Sequence, residues 1–300
     1  NCARRPRARL DIVLAPEPDR EDLNMPDHRS LMADGVSRIF SGRAVVDQAS
    51  LSLAPGEVTA LIGPSGSGKT TLLRMFAGME RPDQGVMRAG DVVLSDPSRF
   101  VPVEKRRIGL VFQDFALFPH LTVLGNVMFG LQSVAKPERE TRAQAWIDRL
   151  GLTHRRDAYP HHLSGGEQQR TAIARALAPE PVAILLDEPF SGLDPTMRDQ
   201  VRQSALEAVR SANIPALLVT HDANEALVHA DKIAVIGNGT IRQTGAPEEV
   251  YRAPNSLSVA RALGPIHRVK TRLLPEAWQS ALKPSADTLW YRPEAFQIGT

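Results

Sequence analysis

Three hundred residues, 42% of them hydrophobic and 5% aromatic, suffice for one sizeable core and a small appendage. Lys and Arg number 36 against 34 for Asp and Glu, so the formal charge of +2 excludes a strong field for steering onto nucleic acid. A single cysteine, Cys2, excludes an internal disulfide and a cysteine-based metal site, and suits a reducing compartment.

In chain order, residues 1–30 come first. They carry Arg4, Arg5, Arg7 and Arg9 but no apolar stretch behind them, which argues against a signal peptide. Rich in Pro, Arg and Asp, they read as a disordered leader, with Met25 or Met32 as a biological start. From residue 31 to 245, short β-branched runs alternate with helical patterns, the mark of an α/β domain built on a largely parallel sheet. Candidate buried strands are 58–62, 108–112, 182–186, 216–219 and 232–236. Ligands of such sheets bind beyond the carboxyl ends of the strands, so the loops there should hold the chemistry. Between residues 113 and 178 the pattern is mainly helical, as in 139–150, and reads as an inserted helical subdomain. Residues 246–300 read as a C-terminal extension whose later part has short β-like pieces such as 288–291. No run of about eighteen apolar residues occurs anywhere, so a membrane role would have to come through partners.

Three segments carry chemistry. The first, Gly63-Pro64-Ser65-Gly66-Ser67-Gly68-Lys69-Thr70, follows a candidate strand and leads through Thr71 into a helical run, which is the P-loop pattern in its required context. Its glycines let successive N–H groups wrap an anion, and the helix start adds partial positive charge. Lys69 is expected at the β- and γ-phosphates of a nucleotide and Thr70 as a Mg²⁺ ligand, with Thr71 counted in the phosphate-binding set. The bland alternative is a glycine-rich turn that merely caps a helix.

Second, the apolar run 182–186 ends in Asp187-Glu188-Pro189. Alone, such an ending is more often a solvated turn; beside a P-loop, Asp187 reads as part of the Mg²⁺ shell and Glu188 as the group that orients or deprotonates a water attacking the γ-phosphate. Third, Leu163-Ser-Gly-Gly-Glu-Gln-Gln-Arg170 opens a helix. Ser164 and Glu167 have capping-box spacing, which would satisfy the helix start unaided but leaves Gly165 and Gly166 unexplained; two glycines would let a phosphate come close to the backbone.

Together these segments resemble the ATP-binding subunits of ABC transporters over roughly residues 31–254, LSGGEQQR being similar to that family's signature. The resemblance implies an α/β fold, a P-loop NTPase of ABC type with an inserted helical subdomain and a short β-rich C-terminal extension. It assigns Gln113 to the loop that senses the γ-phosphate and metal, Asp194 in Ser191-Gly-Leu-Asp194 to the loop after the catalytic carboxylate, His221 to the switch histidine and Phe40 to the adenine-stacking aromatic. In such proteins ATP lies between one chain's P-loop and the partner's signature. The resemblance therefore implies a homodimer, with the partner's Ser164, Gly165 and Gly166 on the γ-phosphate, ATP and Mg²⁺ as ligands, and ATP hydrolysis.

It further implies two membrane-spanning permease subunits, an extracytoplasmic substrate-binding protein and a position on the cytoplasmic face of the inner membrane, with no nucleic-acid partner. Residues 112–123 are similar to importers, and DEPFSGLD with the GAPEEVYRAP tail resembles systems for ferric iron, polyamines, sulfate or thiamine. The extension is shorter than the regulatory β-barrel of related importers and is expected to be incomplete. Residues 115–123 are expected to line an apolar groove for a permease helix, anchored by Phe118. The competing reading is a soluble ABC-type ATPase acting on DNA or ribosomes; the stretch between Thr70 and Leu163 lacks the sustained heptads of DNA-maintenance members. A scaffold with a decayed site would be expected to have lost Lys69, Asp187, Glu188 or His221, and all four are present.

Overall fold

The computed structural model describes residues 30–132, 134–193, 195–273 and 288–293. The expected leader, apart from Ser30, and Asp194 lie outside the described residues. The described chain opens with a hairpin, β1 (Leu31–Phe40) and β2 (Arg43–Leu53). It continues through β3 (Val58–Ile62), α1 (Lys69–Ala77), β4 (Gln84–Ala89), β5 (Val92–Ser95) and β6 (Ile108–Val111). Three helices follow, α2 (Val123–Phe129), α3 (Lys136–Arg149) and α4 (Gly165–Leu177). Then β7 (Ala183–Asp187), α5 (Pro195–Ser211), β8 (Ala216–Val219), α6 (Ala223–His229), β9 (Lys232–Gly237) and β10 (Thr240–Gly245) complete the main body. Beyond Gly245 come two short helices, α7 (Pro247–Arg252) and α8 (Leu257–Ala262), and a hairpin of β11 (His267–Lys270) with β12 (Thr288–Tyr291).

The larger sheet has the order β10-β9-β3-β8-β7-β6 and is parallel from β9 to β6. Its expected strands at 58–62 and 216–219 coincide with β3 and β8, while β7 starts one residue later than expected and carries Asp187 into the strand. A second sheet, β2-β1-β4-β5, is wholly antiparallel, a departure from a pattern read only as alternating α and β. Register shifts between Ala33 and Val36 and again before Arg38 and Ile39 put β1 out of phase with a strict two-residue repeat, so its period is weak in the sequence.

Strand alternation divides the core. Ile184 and Leu186 of β7 join Ala172 and Ile173 of α4 and Val201 and Leu206 of α5. Ala183 and Leu185, pointing the other way, join Leu72, Leu73, Met75 and Phe76 of α1 together with Leu31, Leu53 and Met87 of the antiparallel sheet. The P-loop helix is thus clamped between two sheets, each fully buried aliphatic or aromatic side chain contributing about 1.5–3 kcal/mol. That clamp fixes where the glycine-rich loop points. Among the described residues, no helix is long and apolar enough to cross a membrane.

Candidate functional site

The strand order decides what meets. Four neighbouring parallel strands, β3, β8, β7 and β6, end in turn at the glycine-rich loop, His221, Asp187-Glu188 and Gln113. These residues are up to 158 positions apart in the chain, yet strands about 4.8 Å apart place their ends side by side.

Within the loop, Lys69 is buried and its Nζ donates to Gly63 O at 2.8 Å and Pro64 O at 3.0 Å, folding the ammonium back over its own loop. Pro64 O also accepts from Ser67 N at 3.2 Å. Gly68, φ 103°, precedes α1 with no side-chain cap; a Cβ there would lie 2.6 Å from Val45 O, so both backbone angle and contact demand glycine. Ser67 is buried, holds Gly239 N on its carbonyl at 3.0 Å, and its Oγ has no hydrogen-bond partner in this structure. Pro64, Ser65, Gly66 and Thr70 face solvent and Thr71 is half-buried. A Cβ built on Gly66 would meet nothing within 4 Å, so space lies open above the loop. An uncapped helix start, left-handed glycines at Gly66 and Gly68 and a buried ammonium fit a phosphate chain.

The acidic side is equally constrained. Glu188 adopts φ 45°, a left-handed conformation that is uncommon outside glycine and concentrates at functional sites. Its N–H donates to Val219 O at 2.9 Å, and its carbonyl accepts Ser191 Oγ at 2.9 Å. Glu188 Oε2 lies 3.0 Å from His221 Nδ1, within hydrogen-bond distance. Burial, then the neighbouring Glu188, raises the Asp187 carboxyl above its ordinary pKa, against the pull of Arg74 and Lys69. Burial lowers the Lys69 ammonium, opposed by Glu188 and then Asp187. Two adjacent carboxylates, one of them raised by burial and by the other's charge, fit a divalent cation, whose charge would bring the Asp187 carboxyl back down. Gln113, exposed, lines a cleft of ≈ 600 Å³ with Phe112, Asp114, Asp187, Ser191 and Gly192.

Other expected residues lie elsewhere. Phe40, 39% exposed, ends β1 with the Arg38 guanidinium 4.7 Å above its ring. Ser164 caps α4 in a complete capping box: its Oγ accepts from Glu167 N at 3.3 Å, and Glu167 Oε2 accepts from Ser164 N at 2.8 Å. The glycines after it have a local reason that sequence reading missed. A Cβ on Gly166 would lie 2.8 Å from Val201 Cγ2, and one on Gly165 3.3 Å from Leu193 Cδ2, so close packing on α5 and its approach already requires Gly166 to be small. Sequence reading also missed Arg155, whose Nε donates to Glu167 Oε1 at 2.9 Å, and the buried Arg202, Thr220 and Glu225 beside His221. An isolated arginine or glutamate in an amphipathic helix carries no signal of such burial.

A helix-capping glycine-rich loop after a parallel strand, with two carboxylates two strands away, defines a P-loop NTPase fold. The family described as ABC transporter matches residues 46–191. Fe(3+) ions import ATP-binding protein FbpC of Serratia marcescens is 41% identical over 281 residues, 90% of this chain and 81% of that protein. FbpC 2 of Pectobacterium atrosepticum, with the same import name, is 46% identical over 230 residues, 76% of this chain; that alignment spans 66% of the relative's length. Among solved structures, cbiO1 from Clostridium perfringens, described as part of the ABC transporter complex cbiONQ, superposes with a TM-score of 0.69 at 30% identity over 76% of this chain and 92% of that one. The chain belongs to the family of ABC transporter ATP-binding proteins.

Proposed function

We propose that this chain is the ATP-hydrolysing subunit of an ABC importer, working as a homodimer on the cytoplasmic face of the inner membrane against two permease subunits fed by an extracytoplasmic binding protein. The observation that carries the catalytic part is the Glu188–His221 contact of 3.0 Å on strand ends adjoining the P-loop strand. The two relatives are named as Fe(3+) importers, which supports ferric ion as the transported substrate.

In this reading Lys69 and the loop amides bind the β- and γ-phosphates of ATP and Phe40 stacks on the adenine. Thr70, Asp187 and Gln113 would hold Mg²⁺, whose chemistry there is to neutralise phosphate charge; a hydroxyl and one carboxylate are a usual protein share for that ion. Glu188 orients a water and takes its proton as the water attacks the γ-phosphorus, the bond to the β–γ bridging oxygen breaks, and ADP and phosphate result. His221 steadies the Glu188 carboxylate. Ser164, Gly165 and Gly166 face the γ-phosphate held by the other copy. Loss of that phosphate removes their contacts and opens the dimer.

Glu188→Gln keeps the size of the side chain and removes the base. We expect turnover to fall at least about 100-fold, as for a lost general base, with ATP binding kept and an ATP-bound dimer accumulating on size exclusion. A monomeric variant with wild-type turnover would remove both the catalytic and the dimer claims.

A further inference from the structure

We infer that Arg202 and Glu225 are positioning residues for hydrolysis, together holding His221 against Glu188; the inference rests on the function proposed above. His221 sits on the short connection between β8 and α6 with its side chain 64% exposed, so packing of the imidazole itself does little to hold it. What holds it is the backbone on either side. Thr220, on one flank, is buried, takes Leu61 O on its N–H at 3.3 Å and donates its hydroxyl to Glu225 Oε2. Asp222, on the other, donates its N–H to that same Thr220 hydroxyl at 3.0 Å and caps α6 through Asn224 N at 2.9 Å. Both flanks of His221 are therefore tied to the Glu225 carboxylate.

Glu225 in turn faces Arg202 of α5, with Nε 3.3 Å from Oε1, the two side chains only 6% and 4% exposed. The same guanidinium lies 3.9 Å from the Asp222 carboxylate and 5.5 Å from the centre of the Phe190 ring, two residues beyond Glu188. One cation thus touches the segment that follows Glu188 and the segment that carries His221, close to where Glu188 and His221 meet. A buried ion pair is a weak source of stability, since an apolar pair of equal volume would often serve as well, but it fixes a geometry that an apolar pair leaves loose. The Glu225 carboxylate holds the Thr220 hydroxyl, one residue before His221, and the ring contact of Arg202 falls two residues after Glu188.

The test uses the purified full chain with Mg-ATP, comparing wild type with Arg202→Met, Arg202→Lys, Glu225→Gln, His221→Ala and the double variant His221→Ala/Arg202→Met. Arg202→Met and Glu225→Gln are expected to lower kcat by about tenfold or more, while KM for ATP and nucleotide affinity stay within about twofold. Arg202→Lys restores part of the loss. Once His221 is gone, Arg202→Met should cost nothing further in residual turnover measured with enzyme in excess, because it acts through that residue. Wild-type kcat in Arg202→Met and Glu225→Gln well below a lowered Tm would show a purely structural pair and overturn the inference. Losses that multiply in the double variant would overturn it too. Should Arg202→Met fail to fold, the same comparison runs with Glu225→Gln alone and combined with His221→Ala. A wild type without ATPase activity removes the proposed function and this inference together. A wild type that hydrolyses ATP and is crippled by His221→Ala, with both pair variants unaffected, removes this inference alone.

Discussion

At the first turn of α4, Glu167 accepts hydrogen bonds from Ser164 N, Ser164 Oγ and Arg155 Nε. Burial pushes its carboxyl up, but the Ser164 N–H, then Arg155 and the Ser164 hydroxyl outweigh it and bring the pKa down to about 2. A depressed carboxyl stabilises the fold above its unfolded pKa, near 4.5, and the gain is lost as pH falls towards 2. The shift corresponds to about 3 kcal/mol at neutral pH. Glu167→Gln should therefore be less stable than wild type at pH 7, and the gap measured by chemical denaturation should close between pH 4.5 and 2. A gap that stays constant with pH would mean the carboxylate charge is not what stabilises this turn. Lys69 is different, because its bonds to Gly63 and Pro64 are ones it can exchange for phosphate oxygens. Lys69→Ala is expected to reduce ATP affinity and turnover by at least about tenfold with little change in Tm, checked by nucleotide titration and an ATPase assay. Turnover near wild type would remove the P-loop assignment.

Among the elements, α1 is held at its C-terminal end by an arginine. Arg106 is fully buried, its Nε donating to Val101 O at 2.8 Å and Nη1 to Met75 O at 2.7 Å and Phe76 O at 2.9 Å. The cation thereby satisfies carbonyls at the C-terminal end of the P-loop helix, where the helix dipole favours positive charge. Burial lowers its pKa to about 10, still well above neutrality. Arg106→Met keeps most of the bulk and strands the Val101 and Phe76 carbonyls, while Met75 O keeps the Gly78 N–H at 3.1 Å; the expected loss is about 3 kcal/mol in denaturant unfolding with an unchanged m-value. If the midpoint hardly moved, water would have to reach these groups, contrary to their burial. Gly166 makes the same point between helices: it is as small as α5 demands, whatever else approaches it.

For the whole molecule, the question is how nucleotide state would reach a membrane partner. Gln113 leads into residues 115–123, where Phe115 is buried, Leu117 packs on the core, and Pro119 and His120 are exposed. Phe118 is half-buried, 4.2 Å from the ring of Phe129, which is 45% exposed, and 5.5 Å from the Arg175 guanidinium. Asn126 pins the turn, accepting Phe118 N at 2.8 Å and donating to Leu121 O at 3.1 Å. The segment is a firm, partly apolar surface, as a docking groove needs. In the proposed complex, Phe118→Asp should leave ATPase activity of the free subunit intact and abolish co-purification with the permease and transport; normal assembly would end the docking proposal.

Much of this was legible from residues alone. The five expected strands, one of which (Ile108–Val111) is only half-buried, the α4 start with its capping box, and the P-loop before α1 all depend on neighbours within a turn or two, where side-chain period, glycine spacing and capping residues state the conformation directly. By itself the sequence determined which residues could bind phosphate and which carboxylates stood at a strand end. Tertiary structure alone decided that β8 lies between β3 and β7, which brings His221 to Glu188, and that β1, β2, β4 and β5 form a separate antiparallel sheet. It alone decided that Arg106, Arg202 and Glu225 are buried and that Gly166 meets Val201. The physical reason is that strand pairing and buried ion pairs depend on partners tens of residues away, whose approach is set by how two sheets and the helices between them pack, and no local period in the chain encodes that approach.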